Sequence, residues 1–371
     1  MRYKANGNLG IALVCLGILM PIDVSLFINM SPVKSPLNVR EAKPLEIVNL
    51  ASDRHYDSLQ EMTATAGQDV VFGLSQTPKC LSAKYFYDDR GSDLFEQICE
   101  LPEYYPTRTE ASILDEYADE IARITGPTEL VELGSGSSTK TRLLLDAYQA
   151  LESPSRYVPI DVSGGILEAS AKELAQDYPE LQIRGLVGTY EQALQHLPPT
   201  TFSSRTIAFL GSSLGNFNPQ ECDRFFENMT GALREEDYFL LGVDLQKPRH
   251  ILEAAYNDAQ GVTAEFNLNM LSHLNWRFAG NFNPNLFTHE AIYNESQCQI
   301  EMYLHCHESH TVRLEKLDLT VDFAAGESIL TEISRKFNFL HKQEYVEARG
   351  LKLVKAWTDP NQWFGLLLCQ K

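Results

Sequence analysis

Apolar and polar positions change rhythm along this chain, and the changes divide it. After Gly126-Pro127, short apolar runs rich in β-branched residues alternate with stretches of helical spacing. Runs 129–133, 156–162, 183–187, 206–210 and 238–243 predict strands, and 139–150, 165–177, 190–197 and 219–233 predict helices. Repeated β-α units of this length imply an α/β fold, a parallel sheet with helices on both faces. From 246 to about 335 the rhythm is lost. A helix around 251–257, an Asn-rich loop at 281–285 and a strand pair at 300–307 and 311–321 read as a second, inserted domain. Strand character returns at 351–357 and 363–369 around Thr358-Asp359-Pro360-Asn361, a hairpin that would complete the sheet, with Trp357 and Trp363 packing it. Ahead of the alternating region, 45–66 predicts a helical stretch. In 84–101, Tyr85, Phe86 and Tyr87 precede a turn at Gly91, and Leu94, Phe95, Ile98 and Leu101 follow at helical spacing.

The first residues follow neither rhythm. Arg2 and Lys4 precede an apolar run from Leu9 to Ile22, broken by Pro21 and stopped by Asp23, shorter than the roughly 20 residues of a spanning helix. Three readings stay open: a translation start at Met30, a weak anchor, or a signal lacking a clean small-x-small cleavage site. Residues 31–43 read as a linker, so 1–43 are set aside as leader.

Composition narrows the chemistry. The 371 residues, 44% hydrophobic, suffice for a sizeable core and two domains. A net charge of -19 argues against a nucleic-acid partner, which requires a basic face. Seven scattered cysteines, never spaced Cys-x-x-Cys, read as reduced thiols of a cytoplasmic protein. We therefore expect a small-molecule substrate, no membrane contact for the folded part, and a monomer.

The run Val131-Glu132-Leu133-Gly134-Ser135-Gly136 closes the first strand of the alternating region and opens a helix, and its glycines let a ligand approach the backbone. A dinucleotide fingerprint would place glycine where Thr139 stands, and Glu132 would repel a pyrophosphate. S-adenosylmethionine (SAM), with its sulfonium and ammonium, suits an acidic loop better. Asp161 lies 25 residues beyond Gly136, where a carboxylate can accept both ribose hydroxyls. Lys140 reads either as a partner for the cofactor's carboxylate or as a solvated lysine.

With these residues stand longer motifs: Lys84-Tyr85-Phe86-Tyr87-Asp88, Gly91-Ser92-Asp93-Leu94-Phe95, Leu101-Pro102-Glu103-Tyr104-Tyr105-Pro106-Thr107-Arg108, Gly211-Ser212-Ser213-Leu214-Gly215-Asn216 and Leu330-Thr331-Glu332-Ile333-Ser334. Together, from about Leu45 to Lys371, the chain resembles the L-histidine Nα-methyltransferases of ergothioneine biosynthesis. The resemblance implies a Rossmann-like class I methyltransferase sheet formed by 109–245 and 336–371, with a substrate-binding domain from 44–108 and 246–335. It implies SAM held by Gly134, Lys140 and Asp161, with Thr189 and Tyr190 at the adenine, where relatives usually carry Asp-Phe. It further implies Asn216 and Tyr256 at the histidine's amino and carboxylate end, Tyr104 lining the pocket, Met302 beside the ring, and Glu332 with Ser334 at the imidazole. The product would be the trimethylated betaine hercynine.

The chemistry fits these assignments. Glu332 and Ser334, two apart on a strand, face the same way, and an imidazole offers one donor and one acceptor nitrogen. The alternative is a polar strand face in water. Methyl transfer is an in-line displacement that needs no metal or covalent nucleophile. Tyr87 or Tyr104 serves either as a hydrogen-bond partner or as a core aromatic, and no general base is assigned. His305-Cys306-His307 with His310 superficially suggests a metal cluster, but on a strand the histidines and the cysteine oppose each other. Competing readings are a nicotinamide oxidoreductase, a non-catalytic SAM-binding protein, and a methyltransferase of another aromatic amino acid or amine.

Overall fold

The computed structural model describes residues 45–50, 67–151 and 156–371, which belong to one unit. The predicted leader and most of the predicted 45–66 helix lie outside the described residues. Leu45–Asn49 is instead a strand, β1. Its Leu45 and Ile47 pack on one side of the sheet and Val48 on the other, an alternation that serves a strand and not a helix.

Helix α1 (Gln68–Ser75) and the two-residue β2 (Lys79–Cys80) lead to α2 (Asp89–Cys99), capped by Asp88, whose carboxylate accepts from the Gly91 amide at 2.7 Å. The 21-residue α3 (Tyr105–Thr125) follows. Its start explains the 101–108 motif: the Arg108 guanidinium donates to the carbonyls of Leu101, Pro102 and Tyr104 at 2.7, 2.7 and 3.1 Å and so fastens the turn that carries Tyr104. The predicted alternation is then realised as β3 (Thr128–Leu133), α4 (Thr141–Ala150), β4 (Arg156–Asp161), α5 (Gly164–Asp177), β5 (Gln182–Val187), α6 (Tyr190–Gln195), β6 (Ser204–Phe209), α7 (Pro219–Ala232) and β7 (Tyr238–Asp244).

These strands form an eight-stranded sheet in the order β1-β5-β4-β3-β6-β7-β14-β13. It is parallel except at its last two strands, β13 (Lys352–Thr358) and β14 (Phe364–Gln370). β3 and β6 are buried throughout, as strands covered on both faces must be. Two apolar layers flank the sheet: Ile113, Leu114, Ile121 and Tyr148 on one side, Phe209, Phe225, Phe226 and Phe239 on the other. Each such side chain contributes roughly 1.5–3 kcal/mol. Trp357 stacks on Tyr117 and donates to Glu120 at 2.9 Å, and Trp363 meets Tyr105 edge-on, so both tryptophans clamp the hairpin to α3.

Between β7 and β13 lie α8 (Arg249–Tyr256), α9 (Val262–Phe278), β8 (Phe287–Asn294), β9 (Gln299–Cys306), β10 (His310–Leu314), β11 (Leu319–Phe323), β12 (Ser328–Arg335) and α10 (Phe339–Glu347). The smaller sheet runs β2-β12-β9-β8. The predicted pairing of 300–307 with 311–321 is not formed. Residues 311–321 are broken by a 3-10 turn at Glu315–Leu317 and left-handed Asp318, so β10 folds back on β11 while β9 pairs with β8 and β12.

Candidate active site

The strand order reverses between β3 and β6, and the crevice at their carboxyl ends is where such sheets bind ligands. The loop after β3 turns through Gly134 at φ +70°; a Cβ there would meet the Tyr190 hydroxyl at 3.0 Å. Asp161, ending β4, accepts from the Gly136 amide through Oδ2 and from the Ser163 amide through Oδ1, both at 2.9 Å, so it braces the loop from the side. Ser135 Oγ is buried in this loop without a hydrogen-bond partner, a polar atom poised for a ligand.

One reading of this end needs correction. Glu132 does not present its charge to the loop. Its carboxyl is buried, bonded by Thr141 at 2.5 Å and by Tyr157, and burial pushes it up to about 7. The argument against a pyrophosphate from its charge therefore fails. Thr189 Oγ1 caps α6, accepting from the Gln192 amide at 3.4 Å in a capping box. The cap leaves its hydroxyl proton unused, and Tyr190, edge-on to Phe209, faces Gly134. Lys140 is not a free surface lysine. It is ion-paired with Glu110, itself wholly buried and accepting from the Gly211 amide at 2.8 and 2.9 Å.

Beside this end opens a cleft of about 610 Å³, counted with the solvent at its mouth. Tyr104, Asn216, Tyr256, Met302, Glu332 and Ser334 all line it. Glu332 and Ser334 extend from β12, and Met302 sits opposite Glu332 on β9. The turn carrying Asn216 lies against β12 because Gly215 has no side chain: a Cβ would fall 2.9 Å from the Arg335 carbonyl oxygen. The Asn216 side chain thereby hydrogen-bonds Glu332, whose carboxyl is pushed up to about 7, chiefly by burial. Tyr87 is buried, and its hydroxyl is held well above its ordinary value by burial first, then by Glu332, Tyr190 and Asp161. It therefore stands between the loop end and the cleft.

Behind Ser334, the structure reveals a cluster that sequence reasoning missed. Lys336, Lys247 and Asp244 are each about 1% exposed. The Lys336 ammonium lies 2.9 Å from Asp244 Oδ2 and donates to Tyr256 OH at 2.9 Å and Ser334 Oγ at 2.8 Å. Lys247 binds Asp244 Oδ1 at 2.5 Å, and Tyr105 donates to the same carboxylate at 2.7 and 2.9 Å. The signal was present in the sequence: Lys336 continues the alternation Glu332, Ser334.

His305 pairs with Glu290 at 2.8 Å, while Cys306 is buried and 3.5 Å from His310 Nδ1. Among the described residues no group of three or more such side chains is placed to hold a metal. No described helix is long and apolar enough to cross a membrane.

The profile of a family described as histidine-specific methyltransferase, SAM-dependent, matches residues 66–371. The chain belongs to that family. It is 44% identical to a histidine N-alpha-methyltransferase of Mycolicibacterium smegmatis over 301 residues, 81% of this chain and 93% of that one. A protein of the same name from Mycobacterium tuberculosis is 43% identical over 304 residues, 82% and 94% of the two chains. An ergothioneine biosynthesis protein of Schizosaccharomyces pombe is 29% identical over 287 residues, 75% of this chain but 37% of that longer one. The histidine-specific methyltransferase thus carries its six candidate substrate residues on one cleft beside the glycine loop.

Proposed function

We propose that this histidine-specific methyltransferase transfers methyl groups from SAM to the α-amino nitrogen of L-histidine, three times over, giving hercynine for ergothioneine synthesis. The observation that carries the reading is the convergence of Glu332, Ser334, Asn216, Tyr256, Tyr104 and Met302 on one cleft that adjoins the loop after β3. SAM, when bound, supplies an electrophilic methyl group.

The chain's own residues do the rest by positioning. Gly134 and Gly136 let a ligand approach the backbone, Ser135 Oγ offers an unused polar atom, and Asp161, which braces Gly136, takes the ribose in this reading. Asn216 takes the amino acid end, the Tyr256 ring lines the cleft beside it, and Glu332 and Ser334 take the ring of the substrate. Orienting the amine within about 3 to 3.5 Å of the methyl carbon provides most of the acceleration such a displacement needs. Tyr87 and Tyr104, both raised well above 10 by burial, stay protonated at neutral pH, so they act as hydrogen-bonding groups and not as resting bases. An α-ammonium with a reference value near 8 must shed a proton before each transfer.

The test is mass spectrometry of products after incubation with SAM and L-histidine, L-tryptophan or L-tyrosine in turn. Trimethylated histidine alone is the expected product. Methylated tryptophan or tyrosine without methylated histidine would overturn the substrate while leaving the family intact.

A further inference from the structure

The Lys336 ammonium has three N–H groups, and three acceptors surround it: Asp244 Oδ2, Tyr256 OH and Ser334 Oγ, all within 2.9 Å. Each hydroxyl therefore accepts from the lysine. The two hydroxyls also lie 2.9 Å from one another, and one of them donates across that contact. Two hydroxyl protons are available and one is spent between the pair, so the other has nowhere to go but the cleft both residues line.

The serine oxygen has two lone pairs and can accept from both Lys336 and Tyr256, whereas a phenolic oxygen, conjugated with its ring, accepts two bonds less readily. The chain of donors then runs from Lys336 and Tyr256 to Ser334, and the Ser334 proton points outward. Asp244 fixes the origin of the chain, since its carboxylate holds Lys336 charged. Lys247 and Tyr105 keep that carboxylate partnered independently.

We propose that Lys336 is a positioning residue that makes Ser334 an obligate hydrogen-bond donor to the substrate ring, so that the cleft selects a ring bearing an unprotonated nitrogen. This rests on the histidine reading above. Glu332 accepts the ring's N–H, and Ser334 supplies a proton to its other nitrogen. An indole, which has an N–H but no acceptor nitrogen, leaves the Ser334 proton unpaired in a buried site, a standing penalty against it. Specificity then comes from the polarity of a hydroxyl as well as from cleft size, and the residue that sets the polarity touches no substrate.

The experiment is a double-mutant cycle on the full chain, using calorimetric dissociation constants for L-histidine and L-tryptophan with S-adenosylhomocysteine present. Lys336→Met removes the ammonium while Asp244 retains Lys247. It is expected to weaken histidine about tenfold, the effect of losing one oriented hydrogen bond in a buried site, and to leave tryptophan within about twofold. In the Ser334→Ala background, the same substitution is expected to change histidine binding less than about twofold, because the donor it orients is gone. Effects that multiply in the double variant, or equal losses for both ligands, would show a merely structural lysine and overturn the proposal. Calorimetric stoichiometry reports the folded fraction of each variant, so misfolding does not imitate either result. Wild-type protein with no preference for histidine would overturn the histidine reading itself, and this inference with it.

Discussion

Glu332 should make the ligand-free protein less stable than it need be, and replacing it with glutamine tests this directly. Its carboxyl titrates at about 7 in the fold against 4.5 for an unburdened glutamate, chiefly because burial disfavours the charged form, with Lys336 and Asn216 opposing. Below about pH 4.5 the carboxyl is neutral in both folded and unfolded chains and costs nothing. As pH rises from there to about 7 the unfolded chain releases its proton first, so stability falls, and above 7 the loss is complete. At about 1.36 kcal/mol per pH unit, this interval amounts to about 3 kcal/mol. Glu332→Gln keeps an acceptor for Asn216 and removes the charge. The variant should therefore melt about 6 °C above the wild type at pH 8, at about 2 °C per kcal/mol for a domain of this size, and show no difference near pH 4.5. The assay is thermal unfolding followed by circular dichroism at both pH values, paired with calorimetric binding of histidine. Binding should weaken roughly tenfold as a charge-assisted hydrogen bond becomes a neutral one. An unchanged or lower melting temperature at pH 8 would refute the claim that this carboxylate is held at a cost to the fold.

Other outcomes follow from the same geometry. Gly134→Ala, placing a Cβ at φ +70° and 3.0 Å from the Tyr190 hydroxyl, should weaken S-adenosylhomocysteine binding at least tenfold; adding Tyr190→Phe should recover part of the loss, and no recovery would show that contact to be irrelevant. Asp161→Asn replaces a carboxylate that accepts from two backbone amides, and cofactor affinity measured by calorimetry should fall tenfold or more with little change in histidine binding. Glu129→Ala, at the opposite end of the sheet, strips Arg205 and Arg156 of their shared carboxylate and should cost about 3–5 kcal/mol in denaturant unfolding, with the cofactor affinity of the folded fraction unchanged.

The alternating core of this fold was readable because its strands are buried on both faces and its helices on one, which leaves a clear rhythm from β3 to β7. Helix α9 escaped because its buried face carries Asn267, Asn269 and His273. Each is bonded inside, to Tyr303 O and His289, to Asp88, and to Tyr85 O respectively, and polar residues in a core erase the apolar period. The 21-residue α3 was hidden by its first turn, which reads as a motif of aromatics and proline. At the site, motif resemblance brought together residues as far apart as Tyr104 and Ser334. It gave no view of Lys247, Asp244 and Lys336, whose meaning lies in their mutual distances. The separate reading of Glu132 from its charge failed because that side chain is turned to the protein's own hydroxyls.

The position of β14 sets a schedule for how the molecule can come into being. All but the last of its seven residues are buried, between β7 and β13, yet it is synthesised after every other strand of the sheet. While it is still inside the ribosome, the rim of β7 has no neighbour and the apolar stripe of α3 has lost part of its cover. A nascent chain in that interval presents an open, sticky edge, the kind of surface that recruits other strands. The glycine loop emerges early, but Glu332 and Ser334 of the cleft emerge only shortly before β14, which seals the sheet last. A cell making this enzyme therefore has reason to shelter it until β14 has left the ribosome.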